Sequence, residues 1–258
     1  MLNNFLKNKN GQVTIFIILG ILIVVSVVAF FVLSGRFNSS IDVFENPQLF
    51  IEKCVGDSVE NSASEILLNG GRIVPENYKL YQGEKYNFLC FQQNFYLPCV
   101  NTHPMLVSIS EAEIKNNIRE NVVNCFDELK KEIENSGYET DFEEIIDEDW
   151  KVEILPRKIS VEIERQISIS GKGSSRILKN FEISVISPLY EFENIAREIV
   201  NQESQYCNFE YNGFMLLYPE YNIKRISYDN VRIYKITERS SGLDFKFAIR
   251  GCVIPESG

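Results

Sequence analysis

The chain predicts an α+β fold behind an N-terminal transmembrane helix, and three observations carry that expectation. Val13 to Leu33 is an uncharged, overwhelmingly apolar run in which only Thr14 and Ser26 are polar. Apolar residues recur at helical spacing after Asn46, after Ser110 and after Pro188. From Trp150 onward the pattern alternates with period two, as in strands with one wet face.

The apolar run comes first. At ~1.5 Å rise per residue a helix of this length covers ~30 Å, the hydrocarbon thickness of a bilayer. Lys7 and Lys9 precede it, Gly35 and Arg36 follow it, and the first 36 residues contain no acid. The positive-inside rule then leaves the N-terminus in the cytoplasm and the rest outside, as a single-pass cell-membrane protein. A cleaved secretory signal would end in a small-x-small site, and Leu33-Ser34-Gly35 carries Leu in the wrong place. The expected division is a leader or cytoplasmic N-terminus at 1–12, a spanning helix at 13–33 in contact with lipid, a neck at 34–45 and an extracytoplasmic domain at 46–258. The neck offers Asn38, in Asn38-Ser39-Ser40, as a glycosylation site.

In the domain, Asn46-Pro47 opens a first helix with a capping residue and a proline at its first position. Phe50, Cys54, Val55, Val59, Ala63, Ile66 and Leu67 form its apolar face, and Asn69-Gly70-Gly71 stops it. An aromatic stretch follows from Ile73 to Leu106, with short strands near Tyr86–Phe91 and Phe95–Val100. Ser110-x-x-Glu113 reads as a capping box opening a second helix, with Ile114, Ile118, Val122, Cys125, Phe126, Leu129 and Ile133 on one side. Trp150–Leu155, Ile159–Ser170 and Ile177–Ser187 read as strands, the last two joined by a Gly171–Ser175 turn. A third helix begins at Pro188 with Phe192, Ile195, Ala196, Ile199 and Val200 inward. Phe214–Tyr218, Val231–Thr237 and Phe245–Val253 complete a mostly antiparallel sheet with about three helices packed on it.

Six cysteines, an even number, suit a disulfide-permissive compartment. They allow 15 pairings, among which sequence does not choose. The short span favours Cys90 with Cys99; we expect Cys54 with Cys125 and Cys207 with Cys252.

Net charge is −10, and outside the first 36 residues 23 basic residues face 36 acidic ones, or −13. Such a domain excludes nucleic acid as a partner, whose phosphates demand a basic face. No hydrolase, zinc-protease, Walker or dinucleotide signature occurs, and one histidine without a C-x-x-C leaves no zinc set, so no catalytic, cofactor or metal residues are assigned. Three groups merit inspection: His103 in a loop, seven acids between Glu139 and Asp149, and the aromatics Tyr78, Tyr81, Tyr86, Phe88, Phe91, Phe95 and Tyr96. Convergence of the acidic loop on His103 or Arg157 would signal an enzyme. The aromatics suit either core filling or a protein- or sugar-binding surface.

Lys9-Asn10-Gly11-Gln12-Val13-Thr14 sets a basic residue, a glycine and a glutamine against the apolar run. This resembles the archaeal class III signal peptide of type IV prepilins and archaellins, and the starts of uncharacterised single-pass archaeal surface proteins. The resemblance covers about the first 33 residues. It implies cleavage between Gly11 and Gln12 and a helix able to join a filament core. Two features depart from the pilin pattern: Phe16 stands where many pilins carry glutamate, and Gly35 with the Asn-Ser-Ser neck interrupts the helix.

The sequence therefore leads to a non-catalytic, membrane-anchored surface protein with a binding or structural role, through self-association or an unidentified protein or glycan partner. A pilin-like filament subunit and a membrane-anchored enzyme are the alternatives. If the leader is processed, Gly11→Val yields a longer mature chain by intact mass; an unchanged mass removes the prepilin resemblance.

Overall fold

The computed structural model describes residues 18–25, 45–94, 97–142, 149–171 and 173–251. The chain divides into two compact units, Met1–Asp42 and Val43–Gly258. In the first, residues 18–25 are helical and their side chains exposed. Among the described residues no helix is long and apolar enough to cross a membrane. This finding overturns the expected spanning helix at 13–33 and the single-pass placement built on it. Residues 13–17 and 26–33 lie outside the described residues, as do Gly11, Gln12, Asn38 and nearly all of the 34–45 neck.

The second unit is α+β. Its helices are α1 (Pro47–Leu68), α2 (Leu106–Asn135), α3 (Leu189–Tyr206) and the short α4 (Tyr211–Leu217). Its strands are β1 (Tyr78–Tyr81), β2 (Glu84–Phe91), β3 (Val100–Asn101), β4 (Glu139–Phe142), β5 (Trp150–Leu155), β6 (Lys158–Ile163), β7 (Ile167–Gly171), β8 (Ser174–Leu178), β9 (Phe181–Ile186), β10 (Tyr221–Tyr228), β11 (Val231–Glu238) and β12 (Asp244–Arg250).

Among the described residues these strands form three sheets rather than the single sheet expected. The largest runs β1-β2-β12-β11-β10 with β3 on β2, and the others run β4-β7-β8 and β5-β6-β9. Every pairing is antiparallel except β12 with β2, which is parallel. The expected strand Ile159–Ser170 divides into β6 and β7, which belong to different sheets. Between them the Glu164 amide donates to the Asp149 carbonyl at 2.7 Å, and the Arg165 guanidinium lies over the Phe126 ring at 4.6 Å. Ile177–Ser187 likewise divides into β8 and β9, where Asn180 adopts a left-handed backbone at φ 60°. Period two reports which face is buried but not which sheet a strand joins, so these breaks were invisible to it.

Phe214–Tyr218 was expected as a strand and lies largely in helix α4. The Glu210 side chain accepts from the amides of Asn212 and Gly213, and the Phe214 amide donates to the Glu210 carbonyl. Met215 Sδ then accepts the Ile223 amide at 3.1 Å, tying α4 to β10. The capping box at Ser110 is also corrected, because α2 starts a turn earlier at Leu106, with Met105 as N-cap.

Helix α1 packs on α2, β9 and β12, burying Ile51, Val55, Val59, Ala63, Ile66 and Leu67. Cys54 is bonded to Cys125 across the α1–α2 contact, with Cα atoms 5.9 Å apart. A second disulfide joins Cys90 of β2 to Cys99, at 5.4 Å. Cys207 is disulfide-bonded as well, and Cys252 lies outside the described residues. Alternation divides the large sheet between two cores. Tyr234, Ile236, Phe245, Phe247 and Ile249 face the helices, while Val231, Ile233 and Ala248 join Tyr86 and Phe88 in a small cluster on the other face.

The stop of α1 sits against β12. Gly70 has φ +66°, and a Cβ there would stand 2.7 Å from the Lys246 carbonyl oxygen. Gly83, in the β1–β2 turn, has φ +86° with open space around it. Both substitutions by alanine suffer the left-handed backbone, but only Gly70 adds a collision with main chain. Urea unfolding should therefore show Gly70→Ala destabilised by about 1–2 kcal/mol more than Gly83→Ala. Equal losses would mean that the approach of α1 to β12 is not tight.

Candidate functional site

Among the described residues His103 and Arg157 make separate contacts. His103 touches Thr102 through Nδ1 at 2.9 Å, and its amide donates to Asn101 Oδ1. Burial and the Arg72 charge hold its pKa below the usual histidine value, so the ring is a neutral loop group. Arg157 is ion-paired to the buried carboxylate of Glu238, and its amide donates to Glu191 Oε1 at 3.0 Å. His103 and Arg157 share none of these partners. Of the acidic loop, Glu139 and Asp141 lie on β4, while 143–148 fall outside the described residues. Among the described residues no group of three His, Cys, Asp or Glu side chains gathers as a metal site.

The aromatic stretch mostly serves the sheet. Tyr86 and Phe88 are buried in the outer cluster, Tyr81 packs against Tyr228 at 5.2 Å, and Phe88 meets Phe91 edge-on. Lys79, Lys85 and Arg250 lie over the rings of Tyr228, Tyr78 and Phe91 at 4.8–5.0 Å. These rings already carry cations of the chain itself, which leaves less of their faces for a ligand. Phe95 and Tyr96 lie outside the described residues.

A site that sequence reading missed lies between α3, α4 and the start of β10. Helix α3 turns Leu189, Phe192, Ala196, Ile199 and Val200 into the core. One step around the helix, Tyr190, Glu191, Asn194, Glu198 and Gln202 recur at three- and four-residue spacing and floor a groove of about 660 Å³. Phe214, Leu217 and Tyr218 form the opposite wall, with Glu220 and Tyr221 closing one end. No Lys or Arg lines it among the described residues.

Two features mark this groove. Helix α4 has no buried residue, and Leu217, which lines the groove, is 77% exposed. Glu191 uses Oε1 for the Arg157 amide, whereas its Oε2 is buried without a hydrogen-bond partner. The negative field reaches Tyr221, whose hydroxyl is pushed above the usual tyrosine value by burial first and then by Glu191, Glu238 and Glu220. Arg157, paired to Glu238, offsets part of this field at Tyr221. An apolar wall beside three carboxylates suits a ligand that is both apolar and cationic. The sequence held a trace of this in Leu216-Leu217-Tyr218, three large side chains that a strand assignment would have half buried.

Beneath the same helix is a second group that sequence passed over. Glu193 is 1% exposed, contacts Ser110 Oγ through Oε1, and has no hydrogen-bond partner at Oε2. Burial pushes its pKa up to about 8. Folding thus raises the affinity of Glu193 for its proton. The stabilisation is complete below the carboxyl's unfolded value near 4.5 and is lost as pH rises through about 8. Thermal melts at pH 5 and pH 9 should show the difference in Tm shrinking by several degrees in Glu193→Gln, with the variant the more stable protein at pH 9. An unaltered difference would mean that Glu193 is ionised throughout. Compared with known proteins, the chain matches no family model, no curated protein and no solved structure.

Proposed function

We propose that residues 43–258 form a non-catalytic, disulfide-bonded binding domain whose groove between α3, α4 and β10 receives a basic, apolar segment of a partner protein. The observation that carries this reading is the groove wall itself. A helix with every side chain at least partly exposed sets Phe214 and Leu217 into a groove lined also by Glu191, Glu198 and Glu220, with no Lys or Arg in that lining among the described residues. Exposed leucines gain by burial, at roughly 25 cal/mol per Å² of apolar surface removed from water. The carboxylates supply the sign of the partner's charge, and Glu191 Oε2 supplies an acceptor in need of a donor. The −10 net charge of the whole chain favours the approach of a basic partner at low salt.

Binding of a synthetic ten-residue peptide of alternating Lys and Leu, followed by calorimetry on the full chain, tests this directly. We expect affinity to fall as salt rises and to drop about tenfold, or about 1.4 kcal/mol, when Glu191, Glu198 and Glu220 are all changed to Gln. Phe214→Ser with Leu217→Ser should weaken it by a similar factor. A Glu/Leu peptide that binds equally well, or affinities untouched by both sets of substitutions, would remove the groove as the binding surface.

A further inference from the structure

The groove between α3 and α4 follows Tyr190, Asn194, Glu198 and Gln202, a ridge of every fourth residue along α3. At ~1.5 Å per residue this ridge is ~18 Å long, more than three helical turns. On the opposite wall Phe214, Leu217 and Tyr218 stand at three- and four-residue spacing, the first two within α4 and Tyr218 at its C-cap. Both walls are therefore helical, and β10 contributes only its first residue, Tyr221.

A segment that enters the groove brings main-chain N–H and C=O groups that need partners. The walls offer few. α3 is helical from Leu189 to Tyr206, so its backbone is bonded within itself. On the other wall the Tyr218 amide donates to the Phe214 carbonyl, and the Tyr221 amide to the Tyr218 carbonyl. The Glu220 carbonyl accepts the Arg239 amide, and Met215 Sδ accepts the Ile223 amide. Side-chain amides along the ridge are engaged as well. Asn194 Nδ2 donates to the Tyr190 carbonyl at 2.7 Å, and Gln202 Nε2 to Glu198 Oε1 at 2.6 Å. An extended segment would turn part of its backbone, unpaired, onto these walls, whereas a helix carries its backbone bonds with it.

We propose that the occupant of the groove is a basic, amphipathic α-helix of the partner protein lying along α3, an inference that rests on the groove being the binding surface. The charge spacing agrees. Glu191 and Glu198 are seven residues apart, or ~10.5 Å along the axis of α3. Two lysines seven apart on a partner helix share that spacing, and apolar residues three and four positions on from each share their side of the helix. On an extended segment the side chains of one face recur every ~6.7 Å and meet the two carboxylates out of step.

Calorimetry and far-ultraviolet circular dichroism on the full chain test this with two Lys/Leu peptides of equal composition, each roughly sixteen residues long. One places Leu at i, i+3, i+4 and i+7 with Lys around them, and the other alternates Lys and Leu. Both are used below the concentration at which they self-associate. We expect the helix-patterned peptide to bind at least tenfold more tightly and to be helical when bound. Proline at its centre should weaken it at least tenfold, and proline at its first position should leave it unchanged. An alternating peptide that binds as tightly, a central proline without effect, or a bound peptide without helical signal would each overturn the helical occupant and leave the groove as a binding surface. Binding of neither peptide would overturn both readings.

Discussion

The placement of α1 is the constraint on which the rest of the second unit depends. This helix touches α2, β9 and β12, and so meets strands from two of the three sheets. Its buried residues are small and branched: Val55, Val59, Ala63 and Ile66 let the helix lie close to both surfaces. Gly56 continues that approach on the β9 side, where a Cβ would come within 3.9 Å of Ile183 and Val185. At the far end Gly70 sits against the Lys246 carbonyl, and Asn87 Nδ2 donates to the Gly70 carbonyl at 3.0 Å. The Cys54–Cys125 bond closes a separation of 71 residues and contributes about 2–4 kcal/mol by restricting the unfolded chain.

From that frame the position of α3 and of the groove beside it follows. α3 packs on α2 and on strands of the large sheet, burying one face and leaving the adjacent face over solvent. Along α3, Glu193 turns inward while Glu191 and Asn194 line the groove. One helix therefore presents two carboxylates with different chemistry. Glu191 keeps one oxygen on a backbone amide, whereas Glu193 is enclosed and held in its acid form by desolvation.

Farther along α3 a third acid has a different fate. Glu203 is 1% exposed, yet it is met by the Arg232 guanidinium and the Tyr234 hydroxyl from β11. Its paired surroundings serve to lock α3 onto the large sheet, since removing one partner of a buried pair leaves an uncompensated charge. The contrast separates a fully paired acid from an incompletely paired one on one helix. Glu203 has its donors within the fold, and Glu193 Oε2 does not.

Read by itself, the sequence determined the three main helices and most of their inward faces, since helical periodicity records burial along one axis. Ile114, Ile118, Val122, Phe126, Leu129 and Ile133 needed no partner to be recognised. It also determined the α+β class and the positions of β2, β5 and β11, where alternation or aromatic runs were strong. Among the described residues no helix is long and apolar enough to match the spanning helix expected at Val13–Leu33. Only the tertiary structure decided which strands share a sheet, because the parallel β12–β2 pairing and the β6–β7 break depend on contacts distant in sequence. It alone turned Phe214–Leu217 into a helix, through the Glu210 cap and the Met215 contact with β10. The candidate sites belong to the same class of decision. Glu191 and Glu193 look like ordinary helix acids in the sequence, and their burial and missing partners arise only when α2, α3 and α4 close around them.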